Sequence, residues 1–223
     1  QRAGKHIIST SIEHPSVYNP LGVLEELGFE VTILPVDHDG HISLKELEEA
    51  IRPDTILVST MYVNNEVGAV EPVEEISKII KAKNPSTLYH VDAIQAYGKY
   101  VIRPKKQGID LLSVSSHKIH GPKGVGFLYI RNGVKIKPLI YGGGQQAGMR
   151  SGTENVPGVA GFGAAAKEMY TNHAEKVQKL IELKDYMTDR LGEIEGTVIN
   201  SKKGEASAPQ IVSVSFEGVR SEV

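Results

Sequence analysis

Short apolar runs rich in β-branched residues alternate with longer amphipathic segments along the first part of the chain. The runs are "KHIISTS" (5–11), "EVTILPV" (30–36), "TILVSTMY" (55–62), "STLYHVDA" (86–93), "LLSVSS" (111–116) and "VGFLYI" (125–130). Their length and composition predict strands, and the segments between the first four predict helices. Such alternation is the signature of an α/β fold, a mostly parallel sheet flanked by helices. Segment 43–52, "SLKELEEAIR", has a serine three residues before Glu46, the pairing that satisfies free N–H groups at a helix start. From about 155 to 192 the alternation gives way to a nearly continuous helical pattern, and "QIVSVSFEG" (210–218) then reads as a strand. This change of pattern marks the beginning of a second, smaller α+β unit, with the division set at 1–163 and 164–223.

Composition changes this picture mainly by exclusion. Lysine plus arginine (25) nearly balances aspartate plus glutamate (27), which gives no footprint for direct nucleic-acid or membrane binding. The 223 residues contain no cysteine, so there is no disulfide framework, and a cytoplasmic setting fits best. No histidine–carboxylate spacing suggests a metal site. The opening "QRAGKHIIST" has no initiator methionine, and "GVRSEV" ends abruptly, so the chain reads as a fragment.

In parallel sheets, ligands bind beyond the carboxyl ends of the strands, so polar residues there carry weight. Four stretches qualify: "IEHP", "VNNEVG", "HVDAIQA" and "SSHKIHGPKG". Asp92 closes an apolar strand, where it either needs a cationic partner to offset desolvation or caps a following helix. Lys118, between buried strands, is either a partly desolvated amine able to form a Schiff base or a solvated surface charge. Ser115 and His117 are suited to donate to a phosphate, or else serve a local turn. His14 precedes Pro15 at a helix start, where its ring either stacks on a flat ligand or faces water. Asn65 offers an amide to an anionic oxygen, with Asn64 serving the turn, and Gln95 shares the face of Asp92 if a helix begins there. The glycine-rich segment "YGGGQQAGMRSG" (141–152) is a candidate functional loop. The acidic patches "LKELEEAI" and "EPVEEI" read as solvated faces, and Leu180, Leu183, Met187 and Leu191 as a core or interface stripe.

Taken in order, "SIEHPSV", "MYVNNEVGAVEP", "YHVDAIQAYGK", "SSHKIHGPKGVGFLYIR" and "GGGQQAGMRSGTENV" closely resemble the NifS-like cysteine desulfurases, pyridoxal-phosphate enzymes of the class V aminotransferase group with fold type I. The glycine-rich loop resembles the NifS and IscS branch more than the SufS or selenocysteine-lyase branch. The resemblance implies that Lys118 binds pyridoxal 5'-phosphate covalently and that Asp92 keeps its ring nitrogen protonated. It further implies that His14 stacks on the ring, that Asn65 and Gln95 bond its phenolate oxygen, and that Ser115 and His117 hold its phosphate. Thr153 resembles a threonine that reaches the phosphate site of the neighbouring subunit in a homodimer.

The implied reaction converts L-cysteine to L-alanine and leaves sulfur on an enzyme persulfide. Sulfur-acceptor proteins, an iron–sulfur scaffold or a tRNA-thiolation protein, are the implied partners. The family's persulfide cysteine and substrate-carboxylate arginine are expected beyond the segment equivalent to residue 223, and its first phosphate loop before residue 1. The chain alone is therefore expected to be inactive. Two other readings share most of these residues: another class V aminotransferase or lyase, and a non-catalytic interaction subunit that retains the fold.

Overall fold

The computed structural model describes residues 4–220. Strands β1 (His6–Thr10), β2 (Glu30–Leu34), β3 (Thr55–Met61), β4 (Leu88–Asp92), β5 (Leu111–Ser115) and β6 (Gly126–Ile130) form one sheet in the order β2-β1-β3-β4-β5-β6. The first five strands run parallel, and β6 pairs antiparallel with β5. The chain passes from β1 outward to β2 and returns on the other side of β1 to β3, so the strand order reverses between β1 and β3. A crevice at such a reversal is where open α/β sheets bind ligands.

Helices α1 (Pro15–Glu26), α2 (Leu44–Ala50) and α3 (Val73–Lys83) connect the first four strands, as the alternation predicts. Ser43 caps α2, its hydroxyl accepting the Glu46 N–H at 3.2 Å. In α3, Val73, Ile76, Ser77 and Ile80 lie buried at helical spacing. Its acidic first turn and basic last turn match the helix dipole. Ile76, Ile80 and Leu47 pack with Ile8, Val58, Tyr89, Val91 and Leu112 of the strands to form the core.

One buried charge ties that core to β5. Asp110 is fully buried and meets Lys81 Nζ at 2.7 Å and Arg131 Nη2 at 2.6 Å, while the Tyr89 N–H donates to it at 2.8 Å. Replacing Asp110 with alanine removes the shared acceptor, and half-exposed Arg131 partly recovers by rehydration. The expected loss is about 3 kcal/mol, read as a lower urea midpoint at unchanged m.

The carboxyl-terminal part departs from its sequence pattern in three places. The helical stretch is two helices, α4 (Val156–Tyr170) and α5 (His173–Gly192), broken at Asn172, whose φ of 52° is left-handed. The strand expected over 210–218 is only β8 (Val214–Phe216), paired antiparallel with β7 (Thr197–Ile199). The stripe on α5 is not core within this chain, because Leu183 and Met187 are exposed and the buried positions are Lys184 and Thr188. No helix among the described residues is long and apolar enough to cross a membrane.

Candidate functional site

The sheet's register brings the carboxyl ends of β3, β4 and β5 level with one another. Asp92 pairs with Met61 on one side and Ser113 on the other. Ser115, two residues further along β5, lies about 7 Å beyond that level. Asp92 is 5 % exposed, and burial raises its pKa, with a partial offset from the Ile94 N–H that donates to Oδ1 at 2.9 Å. A charge on His14 also acts on it, which puts the β1 loop within electrostatic reach. Among the described residues no lysine, arginine or histidine forms an ion pair with this carboxyl, whose hydrogen-bond donor is the Ile94 N–H. No α-helix follows it. Residues 93–97 form tight turns, with the Ala96 and Tyr97 N–H groups both donating to Ala93 O, so the helix cap and the shared helical face expected for Gln95 do not form. Gln95 is half-buried, and its carbonyl accepts from Gln210.

"SSHKIHGPKG" folds as one 3-10 turn, Ser116–Ile119, that ends at His120 with a left-handed φ of 65°. The Gly121 N–H closes the turn on Ser116 O at 3.1 Å. A Cβ on Gly121 would lie 2.1 Å from Ser116 Oγ, so a larger residue there would have to turn that hydroxyl aside. Ser115 Oγ and His117 Nδ1 bond each other at 2.7 Å. Lys118 is exposed, the second of the two settings open to it from the sequence, because the turn carries its side chain to the surface. The buried amine is that of Lys99, 8 % exposed and bonded to Lys118 O at 2.7 Å. Burial, and then the charge of Lys118, pushes its pKa down to about 8.

On the β1 side, His14 caps α1, with Nδ1 accepting the Ser16 N–H at 3.2 Å and bonding Ser16 Oγ at 2.8 Å. Its ring is exposed at the mouth of the sheet. Asn64 is buried and structural. Its Oδ1 accepts the Glu66 and Val67 N–H groups, and its Nδ2 donates to Ile12 O, tying the β1 and β3 loops together. Half-buried Asn65 stands beside it and donates to Glu66. Thr153 is exposed and shares no hydrogen bond with the Lys118 turn among the described residues. Its glycine-rich loop folds on itself through Ser151 Oγ to Gly143 O and the Gly152 N–H to Gln145. His14, Asn65, Asp92, Gln95, Ser115, His117 and Lys118 thus lie at or just beyond the carboxyl ends of β1, β3, β4 and β5, whereas Thr153 lies on the glycine-rich loop after β6.

Two buried carboxyls beneath this rim were not legible in the sequence. Glu13 accepts from Thr10 Oγ1 and the Met61 N–H, each at 2.7 Å, while Oε2 is buried without a partner. Glu71, within the patch read as solvated, is 1 % exposed. It accepts no well-formed hydrogen bond, although the Ile42 amide lies close enough to act on it. Burial raises both to about 7, with a further push from the charge of Asp92 on Glu13 and from that of Glu13 on Glu71. His90, bonded to Ser59 Oγ and Ser113 Oγ at 2.8 Å each, is pushed down to about 4 by burial.

The signs of these shifts give a pH prediction. Glu13 and Glu71 bind a proton more tightly when folded. Their contribution is complete below pH 4.5 and is lost as pH rises through 7. His90 works in the opposite sense, contributing above pH 6.5 and losing that contribution as pH falls toward 4. Between pH 6 and 8 the carboxyls dominate, and the cofactor-free chain should lose about 2 kcal/mol. Urea titrations at both pH values check this, and a Glu13→Gln, Glu71→Gln double variant should abolish the loss.

The whole chain, residues 1–223, matches the family described as aminotransferase class-V. It is 49 % identical over 183 residues to cysteine desulfurase IscS of Dictyoglomus turgidum, covering 82 % of this chain and 46 % of that protein. It is 44 % identical over 221 residues to cysteine desulfurase IscS 1 of Archaeoglobus fulgidus, covering 99 % and 57 %. A solved structure titled NifS-like protein superposes with a TM-score of 0.95 at 44 % identity, covering 99 % of this chain and 60 % of its own. The chain therefore spans about half the length of the curated relatives it matches.

Proposed function

Since this chain belongs to the class V aminotransferase family, we propose that it forms the cofactor-binding part of a cysteine desulfurase that uses pyridoxal 5'-phosphate. The observation that carries the reading is Asp92, a buried carboxyl that forms no ion pair among the described residues, next to the strand whose turn presents Lys118. A protonated ring nitrogen meets the requirement of such a carboxylate. Bound there, the cofactor supplies an electron-withdrawing ring that stabilises negative charge on a substrate carbon.

In this reading Lys118 holds the cofactor covalently and then moves a proton at the substrate's α-carbon. Asp92 keeps the ring nitrogen protonated, His14 lies against the ring, and Asn65 and Gln95 bond its phenolate oxygen. Ser115 and His117, already bonded to each other, bind the phosphate. Thr153 acts in the neighbouring subunit's site of a homodimer. Residues 1–163 form the cofactor unit, and 164–223 begin the second unit.

The substrate is L-cysteine, and the product is L-alanine. A cysteine thiolate takes the sulfur as a persulfide and passes it to an iron–sulfur scaffold or a tRNA-thiolation protein in the cytoplasm. These 223 residues contain no cysteine, so that thiolate is not among them. The test is an assay of the natural protein carrying these residues with L-cysteine and a thiol reductant. Equimolar alanine and sulfide are expected. A keto acid without sulfide would instead identify an aminotransferase, and no product would identify a non-catalytic subunit.

A further inference from the structure

Lys99 is buried in an unusual place for a lysine. It follows Gly98, whose φ of +83° turns the chain and whose missing Cβ would lie 2.9 Å from the Ile119 side chain. Tyr170 of α4 fixes the same turn, with its hydroxyl accepting the Gly98 N–H at 3.1 Å and donating to Tyr100 O at 3.2 Å. The Lys99 N–H donates to Ala96 O at 3.0 Å, which anchors its backbone to the segment that follows Asp92. From this fixed base the side chain reaches into the next segment, and Nζ donates to the carbonyl of Lys118 at 2.7 Å.

A buried ammonium is costly unless it bonds, and this one has a single acceptor among the described residues. That acceptor belongs to the residue assigned the covalent chemistry. Its carbonyl lies on the far side of the Lys118 Cα, so holding it restricts rotation about that residue's ψ and fixes where the side chain departs. The turn itself gives little help, because Ser116–Ile119 is one short 3-10 turn and Ser116 Oγ lacks a partner.

We infer that Lys99 is a positioning residue for Lys118, a bridge by which the segment bearing Asp92 and Gln95 sets the backbone of the lysine turn. The inference rests on Lys118 being the cofactor lysine. Lys99 itself contacts neither cofactor nor substrate in this account. Its effect passes through one charge-assisted hydrogen bond, and a bond of that kind is worth about tenfold in an equilibrium or rate.

Three forms of the protein test it: wild type, Lys99→Met, which keeps the stem and removes the charge, and Lys99→Arg, which keeps a donor. The first readout needs no cofactor. Amide exchange over residues 116–121 should quicken about tenfold in the methionine variant and return nearly to wild type in the arginine variant. The second is the rate at which pyridoxal phosphate and borohydride label Lys118, by peptide mapping. It should fall about tenfold in the methionine variant and recover to within about threefold with arginine.

A purely structural role would lower the unfolding midpoint equally in both variants and leave Lys118 labelling of the folded protein unchanged. That result overturns the inference. If the methionine variant does not fold, Lys99→Gln, one atom too short to reach the carbonyl, carries the same comparison. Wild-type protein that is not labelled at Lys118 overturns the cofactor reading itself and this inference with it. Label on Lys118 that is indifferent to residue 99 overturns the inference alone.

Discussion

Replacing Lys118 with alanine should remove covalent cofactor attachment altogether and leave the fold intact. The side chain is exposed and takes no part in the core, and the bonds that shape its turn, Gly121 N–H to Ser116 O and Lys99 Nζ to Lys118 O, use backbone atoms. Its deletion should therefore shift the unfolding midpoint very little, since surface substitutions away from such features cost about 0.5 kcal/mol or less. In the natural protein carrying these residues, release of alanine from cysteine should fall by about four orders of magnitude or more, because one group both anchors the cofactor and moves the proton. Lys118→Arg should not rescue it. Arginine keeps the charge but offers no nucleophilic amine at any accessible pH. The checks are a turnover assay and mass analysis of the 115–124 peptide after borohydride treatment, with a urea titration to show that the variants fold.

The second large effect is at Asp92, where one substitution should push two properties in opposite directions. In the cofactor-free chain burial raises the Asp92 pKa, so folding disfavours its charge, and the stability it gives is complete below the unfolded pKa and declines as pH rises through the folded one. Asp92→Asn removes that charge and keeps an oxygen for the Ile94 N–H. At pH 8 the cofactor-free variant should unfold at higher urea than wild type. Cofactor binding should weaken by about a hundredfold, because breaking a buried ion pair by deleting one partner costs about 3 kcal/mol. Greater stability with weaker binding is the mark of a residue kept for its ligand. A helix-capping or otherwise structural aspartate would lose stability on the same change and leave cofactor affinity alone.

How far the chain could be read in advance depended on what each residue's surroundings are made of. The strands were legible because β-branched runs such as "TILVSTM" bury along their own length, and α2 was legible because Ser43 carries its own capping signal. Asp92 stood out because a carboxylate ending an apolar strand is anomalous in any fold. The break between α4 and α5 was hidden because apolar periodicity runs through it. It is made by Asn172 in a left-handed conformation, with the Thr171 hydroxyl donating back to Lys167 O.

Glu71 was hidden for a related reason. The residues beside it, Glu74 and Glu75, are exposed in the first turn of α3, and only the bridge between Val63 and Val70 turns Glu71 inward. The burial of Lys99 was hidden as well. Flanking apolar strands suggested desolvation at residue 118, yet the 3-10 turn lifts that side chain out, and the positive-φ Gly98 directs residue 99 inward. The one local signal for Lys99 was a glycine immediately before a lysine, which is too common to weigh by itself.

The central claim is that Lys118, held at the carboxyl end of this sheet, is the residue that takes the cofactor. The most direct test is to mix the purified chain with pyridoxal phosphate, reduce with borohydride, and map every modified lysine. Competition within the protein makes the answer informative, since burial pushes the nearby Lys99 amine down to about 8. The account predicts one dominant label, on Lys118. Label on Lys99, or label spread over exposed lysines such as Lys45 and Lys105, would contradict it.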